Sequence, residues 1–106
     1  MTALATRADA AHALMMMLIE HGALPQPDEF EVRDFEPDAD VPDWGVSLVV
    51  RDSLTRFEQW RAALGLHPHD IAYSACHHGA CLGAVGEVHG VPVELFAVAD
   101  VDVPGR

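Results

Sequence analysis

The stretch Trp44–Gly65, WGVSLVVRDSLTRFEQWRAALG, contains a strand followed at once by a helix, and it decides the fold. Apolar residues alternate along Trp44–Arg51, which predicts a strand with one face in a core, formed by Val46, Leu48 and Val50. Asp52 or Ser53 is then the N-cap of an amphipathic helix that ends at Gly65. Its apolar residues recur at helical spacing: Leu54, Phe57, Trp60 and Leu64.

The last third predicts a meander of three strands, Asp70–Cys76, Ala80–Val88 and Val91–Val98. The turn His89-Gly90 contains a glycine where a positive φ is favoured. It pairs Val88 with Val91 on one face, together with Gly86–Val93, Ala84–Leu95 and Leu82–Ala97. The opposite face then receives Glu87 with Pro92, Val85 with Glu94, Gly83 with Phe96, and Cys81 with Val98.

The first third predicts a helix over residues 3–21, with Thr2 or Thr6 as N-cap and Gly22 at its C-terminal end. Residues 28–43 carry eight acids against Arg33 alone, so this segment holds minus 7 of the net charge. We expect an edge strand over residues 29–35, followed by an acidic loop.

Together these elements predict a single α+β domain over residues 1–106, with residues 99–106 as a flexible tail. The predicted architecture is an antiparallel sheet of about five strands with two helices on one face, in the order α-β-β-α-β-β-β.

The composition narrows the possible functions. The chain has 17 acidic and 6 basic residues, a net charge of −11, and contains no lysine. Such a surface repels a phosphate backbone, which argues against direct nucleic-acid binding and favours basic protein partners. The longest apolar run, Ala13–Ile19, is far shorter than the ~20 residues that span a bilayer. We therefore expect a cytoplasmic protein with reduced thiols and no membrane contact.

Two surfaces are candidate protein-binding sites because their apolar residues exceed what two helices and one sheet can bury. The first is the sheet face opposite the predicted core, with Val49, Val85, Phe96 and Val98. We expect homodimerisation through this face or along a strand edge. The second is the methionine-rich part of the first helix, with Met15 and Met16. The alternatives are a buried helix and a patch covered by the acidic loop or the tail.

The acidic segment supports a second hypothesis, in which it mimics nucleic acid and occupies the basic groove of another protein. Its carboxylates would then have to lie in a row with phosphate-like spacing: Asp34, Glu36, Asp38, Asp40 and Asp43. The plainer alternative is a solvated edge strand and loop.

A cluster of histidines and cysteines supports a third hypothesis, a zinc-type metal site formed by Cys76, His78, Cys81 and His89. The spacing Cys-His-His-Gly-Ala-Cys matches no common zinc signature. A two-residue turn at His78-Gly79 would place the thiols opposite each other, whereas a three-residue turn starting at His77 would place them on opposite faces. We favour the first register. Otherwise no cofactor, no catalytic residue and no enzymatic activity are expected, since no catalytic motif occurs.

The runs VVRDSLTRFEQWRAALGL (49–66) and GEVHGVPVELFA (86–97) resemble small uncharacterised α+β proteins of high-GC bacteria and their mobile elements. The resemblance covers roughly the last 60 residues and involves fold-forming positions, among them Trp60, Gly65 and Gly90. It implies an architecture and no catalytic residue.

Overall fold

The computed structural model describes residues 4–69 and 79–100. In chain order, the elements are α1 (Arg7–Glu20), β1 (Glu29–Asp34), β2 (Trp44–Arg51), α2 (Leu54–Leu64), β3 (His67–His69), β4 (Gly79–Val88) and β5 (Val91–Asp100). The strands form one sheet in the order β1-β2-β5-β4-β3. The predicted α+β class with two helices is confirmed. None of the described helices is long and apolar enough to cross a membrane.

The prediction of a fully antiparallel sheet is wrong at one pair of strands. β2 and β5 are parallel, with Val46 opposite Val93 and Leu48 opposite Leu95, and the other three strand pairs are antiparallel. Parallel neighbours need a crossover connection, and here α2 lies in the connection between β2 and β5. Hairpin turns can be recognised from local sequence, whereas this non-local pairing cannot.

The core lies between the two helices and one face of the sheet, which we call the covered face. Alternate residues of β2 point into it, as predicted, and Trp60 of α2 and Met17 of α1 are fully buried against them. The Trp60 indole Nε1 donates a hydrogen bond to the Pro25 carbonyl at 2.7 Å, so α2 is also tied to the segment that follows α1. The sheet contributes eight buried apolar residues to this core: Val46, Leu48, Val50, Ala84, Val91, Val93, Leu95 and Ala97.

Local capping chemistry fixes the helix ends. Thr6 begins α1 through a capping box in which the Thr6 hydroxyl accepts from the Asp9 amide and the Asp9 carboxylate accepts from the Thr6 amide. The helix therefore starts later than the predicted residue 3, and its C-cap is His21 rather than Gly22. Ser53 caps α2, and Gly65 ends it with φ of +67°.

The β4–β5 hairpin has the predicted register at all eight predicted pairs, from Val88–Val91 to Cys81–Val98. His89 and Gly90 both have positive φ, as a two-residue hairpin turn requires. The space beside Gly86 is occupied by Leu66, whose Cδ2 would lie 2.9 Å from an added Cβ. A large residue at position 86 would therefore displace Leu66 from the core.

In its second half, the described part of the chain departs from the prediction at two places, β3 and the end of β5. The predicted strand Asp70–Cys76 and the turn at His77–Gly79 lie outside the described residues. Immediately before them, the structure has an unpredicted three-residue strand, β3, whose His67 pairs with Val85. β5 extends to Asp100, so residues 99 and 100 belong to a strand rather than to the predicted tail, of which 101–106 lie outside the described residues.

Candidate protein-binding surface

The second face of the sheet, which we call the open face, carries apolar side chains that no described helix covers. It contains the residues that alternate with the covered ones along β2, β4 and β5. Four of its residues form what we call the open-face patch: Val49, Val85, Phe96 and Val98. Val85 is 39% exposed, and the other three are partly buried. The structure thus places all four predicted sheet residues on one side of the molecule.

One end of the open face is covered by the chain itself. The Phe35 ring lies over Gly45, because a Cβ at position 45 would be 3.0 Å from Phe35 Cε2. The same Cβ would be 2.4 Å from the Pro92 carbonyl oxygen, so only glycine allows β2 and β5 to approach there. The Arg33 guanidinium lies 5.3 Å from the centroid of the Phe35 ring. Coverage by the acidic segment, the predicted alternative, therefore applies to this end and not to the open-face patch.

A polar group separates this covered end from the patch. Arg33 Nη1 contacts Glu94 Oε1 at 2.8 Å, and Ser47 beside them is only 4% exposed. Burial raises the pKa of the Glu94 carboxyl above its ordinary value, and Glu31 raises it further, while Arg33 and a hydrogen bond with Ser47 lower it. Glu94 is thus a partly desolvated carboxylate at the edge of an apolar surface.

The arginines of the described part of the chain are all engaged within the molecule. Three of them bind carboxylates near or on the open face: Arg33 with Glu94, Arg51 with Glu29, and Arg56 with Asp28. Arg61 binds Glu58, and the Arg7 guanidinium lies 5.2 Å from the centroid of a Trp44 ring. Because these cations are already paired, the remaining acids give the surface its negative field.

Two carboxylates of the acidic segment accept hydrogen bonds from backbone amides, Asp34 from the segment itself and Asp43 from the residues before α1. Asp34 Oδ1 accepts hydrogen bonds from the Glu36 and Asp43 amides, at 2.9 and 3.1 Å. Asp43 Oδ1 accepts from the Ala5 amide at 3.3 Å. Glu36, Asp38 and Asp40 are exposed. Only these three of the five predicted mimic residues have carboxylates without such a folding role, so the nucleic-acid mimic gains no specific support.

The outer side of α1 is the second predicted surface. Met15 is 52% exposed, Met16 is partly buried, and Met17 is fully buried. Ile19, which the sequence did not single out as a site residue, is 66% exposed. The sequence places Ile19 on the same helix face as Met15, four residues earlier, but does not show whether that face is exposed.

Two of the four predicted metal ligands, Cys81 and His89, lie at different places in the β4–β5 hairpin. Cys81 pairs with Val98, whereas His89 forms the turn eight residues away, about 26 Å along an extended strand. His89 Nε2 instead lies 2.5 Å from Glu20 Oε1 at the end of α1. Cys81 and His89 therefore cannot bind the same ion. Cys76 and His78 lie outside the described residues, within which no group of three or more potential ligands is found.

Two concave regions accompany these surfaces. A cavity of about 410 Å³ borders the open-face patch, and its lining includes Glu29, Glu31, Ser47 and Val49. A second groove, unpredicted from sequence, lies along α2 and is lined by Leu54, Phe57 and Leu82 among others. Both are open depressions rather than enclosed sites.

Comparisons with protein-family models, with curated proteins and with solved structures found no match for this chain.

Proposed function

We propose that this protein is a non-enzymatic, acidic regulatory or scaffolding module of the cytoplasm, which binds a basic partner protein through the open-face patch. The observation that carries the proposal is a sheet face that no helix of the described residues covers, on which Val49, Val85, Phe96 and Val98 are contiguous. An antiparallel hairpin whose second face meets only water normally alternates apolar with polar residues. A contiguous group of apolar side chains on that face is typical of a surface that a partner protein covers.

The charges around the patch favour a basic partner. The open face carries the carboxylates of Glu29, Glu31, Glu87 and Glu94, against the guanidinium groups of Arg33 and Arg51. Two copies of this face would bring like charges together, which costs binding energy, whereas a partner with arginine or lysine residues around an apolar centre would be attracted. The open-face patch supplies affinity and the surrounding acids supply orientation.

The acidic loop adds long-range attraction. Glu36, Asp38 and Asp40 lie in the loop between β1 and β2, and β2 forms part of the open face. Exposed charges of one sign raise the rate at which oppositely charged proteins meet, and salt screens the effect. In this proposal the loop changes the association rate more than the dissociation rate.

A peptide titration followed by NMR tests the proposal. The ¹⁵N-labelled protein is titrated with a synthetic peptide of alternating valine and arginine, and separately with hexa-arginine. We expect the alternating peptide to shift the amides of Val49, Val85 and Phe96, because it supplies both apolar and basic groups. Hexa-arginine should act mainly on residues 36–43, since it supplies charge alone.

Val85→Glu is the matched variant, because Val85 is the most exposed residue of the open-face patch and its replacement leaves the core unchanged. It should weaken binding of the alternating peptide by about tenfold or more, the scale of one desolvated charge in an apolar contact. If both peptides shift only the acidic loop, or if Val85→Glu binds as well as the wild type, the open-face patch is not the docking surface.

A further inference from the structure

The outer ridge of α1 is exposed, mostly apolar and without acidic or arginine side chains. It consists of Ala8, Ala11, His12, Met15 and Ile19, all exposed to solvent. These residues lie on one side of the helix, since Ala10, Ala13 and Met17 on the other side are buried in the core. We call the five exposed residues the α1 ridge.

The absence of formal charge distinguishes the α1 ridge in a chain with 17 acidic residues. The segment from Ala10 to Ile19 contains no acid and no arginine. Two copies with a net charge of −11 repel each other, and the repulsion is smallest where an uncharged surface keeps the carboxylates apart. The open face lacks this property, because four glutamates surround its patch.

The α1 ridge is also complementary to itself. Its N-terminal half carries the small residues Ala8 and Ala11, whereas its C-terminal half carries the large residues Met15 and Ile19. An antiparallel arrangement about a two-fold axis places the large half of each helix on the small half of the other. A parallel arrangement would oppose large residues to large and leave a gap between the alanines.

We propose that the α1 ridge is a self-association surface, on which two copies of this chain pack their first helices antiparallel. Ile19 of each copy lies against Ala8 of the other, and Met15 lies against Ala11 and His12. This proposal is independent of the open-face patch, which remains accessible in such a dimer.

The size of the α1 ridge determines how tightly two copies are expected to associate. A pair of four-turn helices buries less than the ~1,200 Å² of a stable interface, so the dimer should dissociate in the micromolar range or above. Its population therefore depends on concentration.

Disulfide trapping tests the helix orientation. The variant with both Ala8→Cys and Ile19→Cys, in a full chain with Cys76→Ser and Cys81→Ser, should form a cross-linked dimer under mild oxidation. Within one helix these positions are 11 residues, or about 16 Å, apart, so they can bond only between copies. Neither single cysteine variant should cross-link, because an antiparallel pair separates identical positions. Efficient cross-linking of a single variant, or none of the double variant, would overturn the proposal.

Sedimentation velocity on the chain with its native cysteines provides a second test. Met15→Glu should raise the dimer dissociation constant at least about tenfold, since it introduces two charges into the contact. Val85→Glu adds the same charge on the open face and should leave that constant unchanged. A wild type that stays monomeric up to about 1 mM, or a Met15→Glu variant that associates like the wild type, would contradict self-association through α1 while leaving the open-face proposal to its own test.

Discussion

The two faces of the sheet differ in coverage much more than in composition. On the covered face, Val50 of β2 is completely buried beneath the helices, whereas the adjacent Val49 on the open face keeps part of its surface in contact with solvent. Both faces contain aliphatic side chains from β2, β4 and β5. The covered face stabilises the fold, and the open face retains apolar area whose burial is still available to a partner. Substitutions on the two faces should therefore separate stability from binding.

The largest expected loss of stability comes from a substitution in the core beneath the covered face. Trp60→Ala should lower the free energy of unfolding by about 3–5 kcal/mol, because it removes a fully buried indole and its hydrogen bond to the Pro25 carbonyl. Urea denaturation monitored by circular dichroism measures the change. Trp60→Phe keeps most of the volume and should cost clearly less. A small loss for Trp60→Ala would mean that the helices contribute little to the covered face.

The sharpest comparison between the faces uses the two neighbouring valines. Val50→Ala should cost about 2–3 kcal/mol, the transfer of two methyl groups plus a cavity term, whereas Val49→Ala should cost about 1 kcal/mol or less. The two substitutions are chemically identical and adjacent in β2, so propensity cancels in the difference. The same denaturation measurement applies to both. Equal losses would show that the open face is as closely packed as the covered one.

The smallest expected changes in stability concern two carboxylates, one with a pKa below and one with a pKa above its ordinary value. The Arg51 amide, and with it Arg56, lowers the pKa of the Asp28 carboxyl below its ordinary value near 3.8. A folded-state pKa that is depressed contributes stability above the unfolded value, and this stability is lost as the pH falls through the folded value. The stability difference between the wild type and Asp28→Asn should thus be present at pH 7 and shrink below about pH 4.

The stability contributed by Glu94 should change with pH in the opposite direction to that of Asp28, so the two residues are compared. Its pKa is raised from an ordinary value near 4.5, mainly by burial, so protonation favours the folded state. The wild type should therefore gain stability relative to Glu94→Gln as the pH falls through the raised pKa. Denaturation curves at several pH values measure both differences. Parallel profiles for Asp28→Asn and Glu94→Gln would contradict these directions.

Elements encoded by short-range signals were predictable. The β4–β5 register follows from one glycine-containing turn, because a two-residue turn fixes every pair beyond it. The bounds of β2 follow from alternation, and the end of α2 follows from Gly65, which adopts a positive φ. In each case the chemistry that decides the structure lies within a few residues of it.

The candidate surfaces were predictable in part. The four residues of the open-face patch were identified because side chains alternate between the two faces along each strand. The predicted register of β4 and β5 then placed their residues on the same face. The coverage of one end by Phe35 and Arg33 was offered only as an alternative, because it depends on how the acidic segment folds back over Gly45. Ile19 was missed because an apolar run on a helix does not reveal which side faces the sheet.

The sequence by itself determined the α+β class, the hairpin register, the glycine that ends α2 and the strongly negative field. Propensity, turn geometry and net charge are properties of local sequence or of composition. Only the tertiary structure decided that β2 and β5 run parallel, that Asp34 and Asp43 bind backbone amides, and that α1 turns an uncharged ridge outward. These features depend on contacts between residues distant in the chain, and their free energies arise only when those segments pack together.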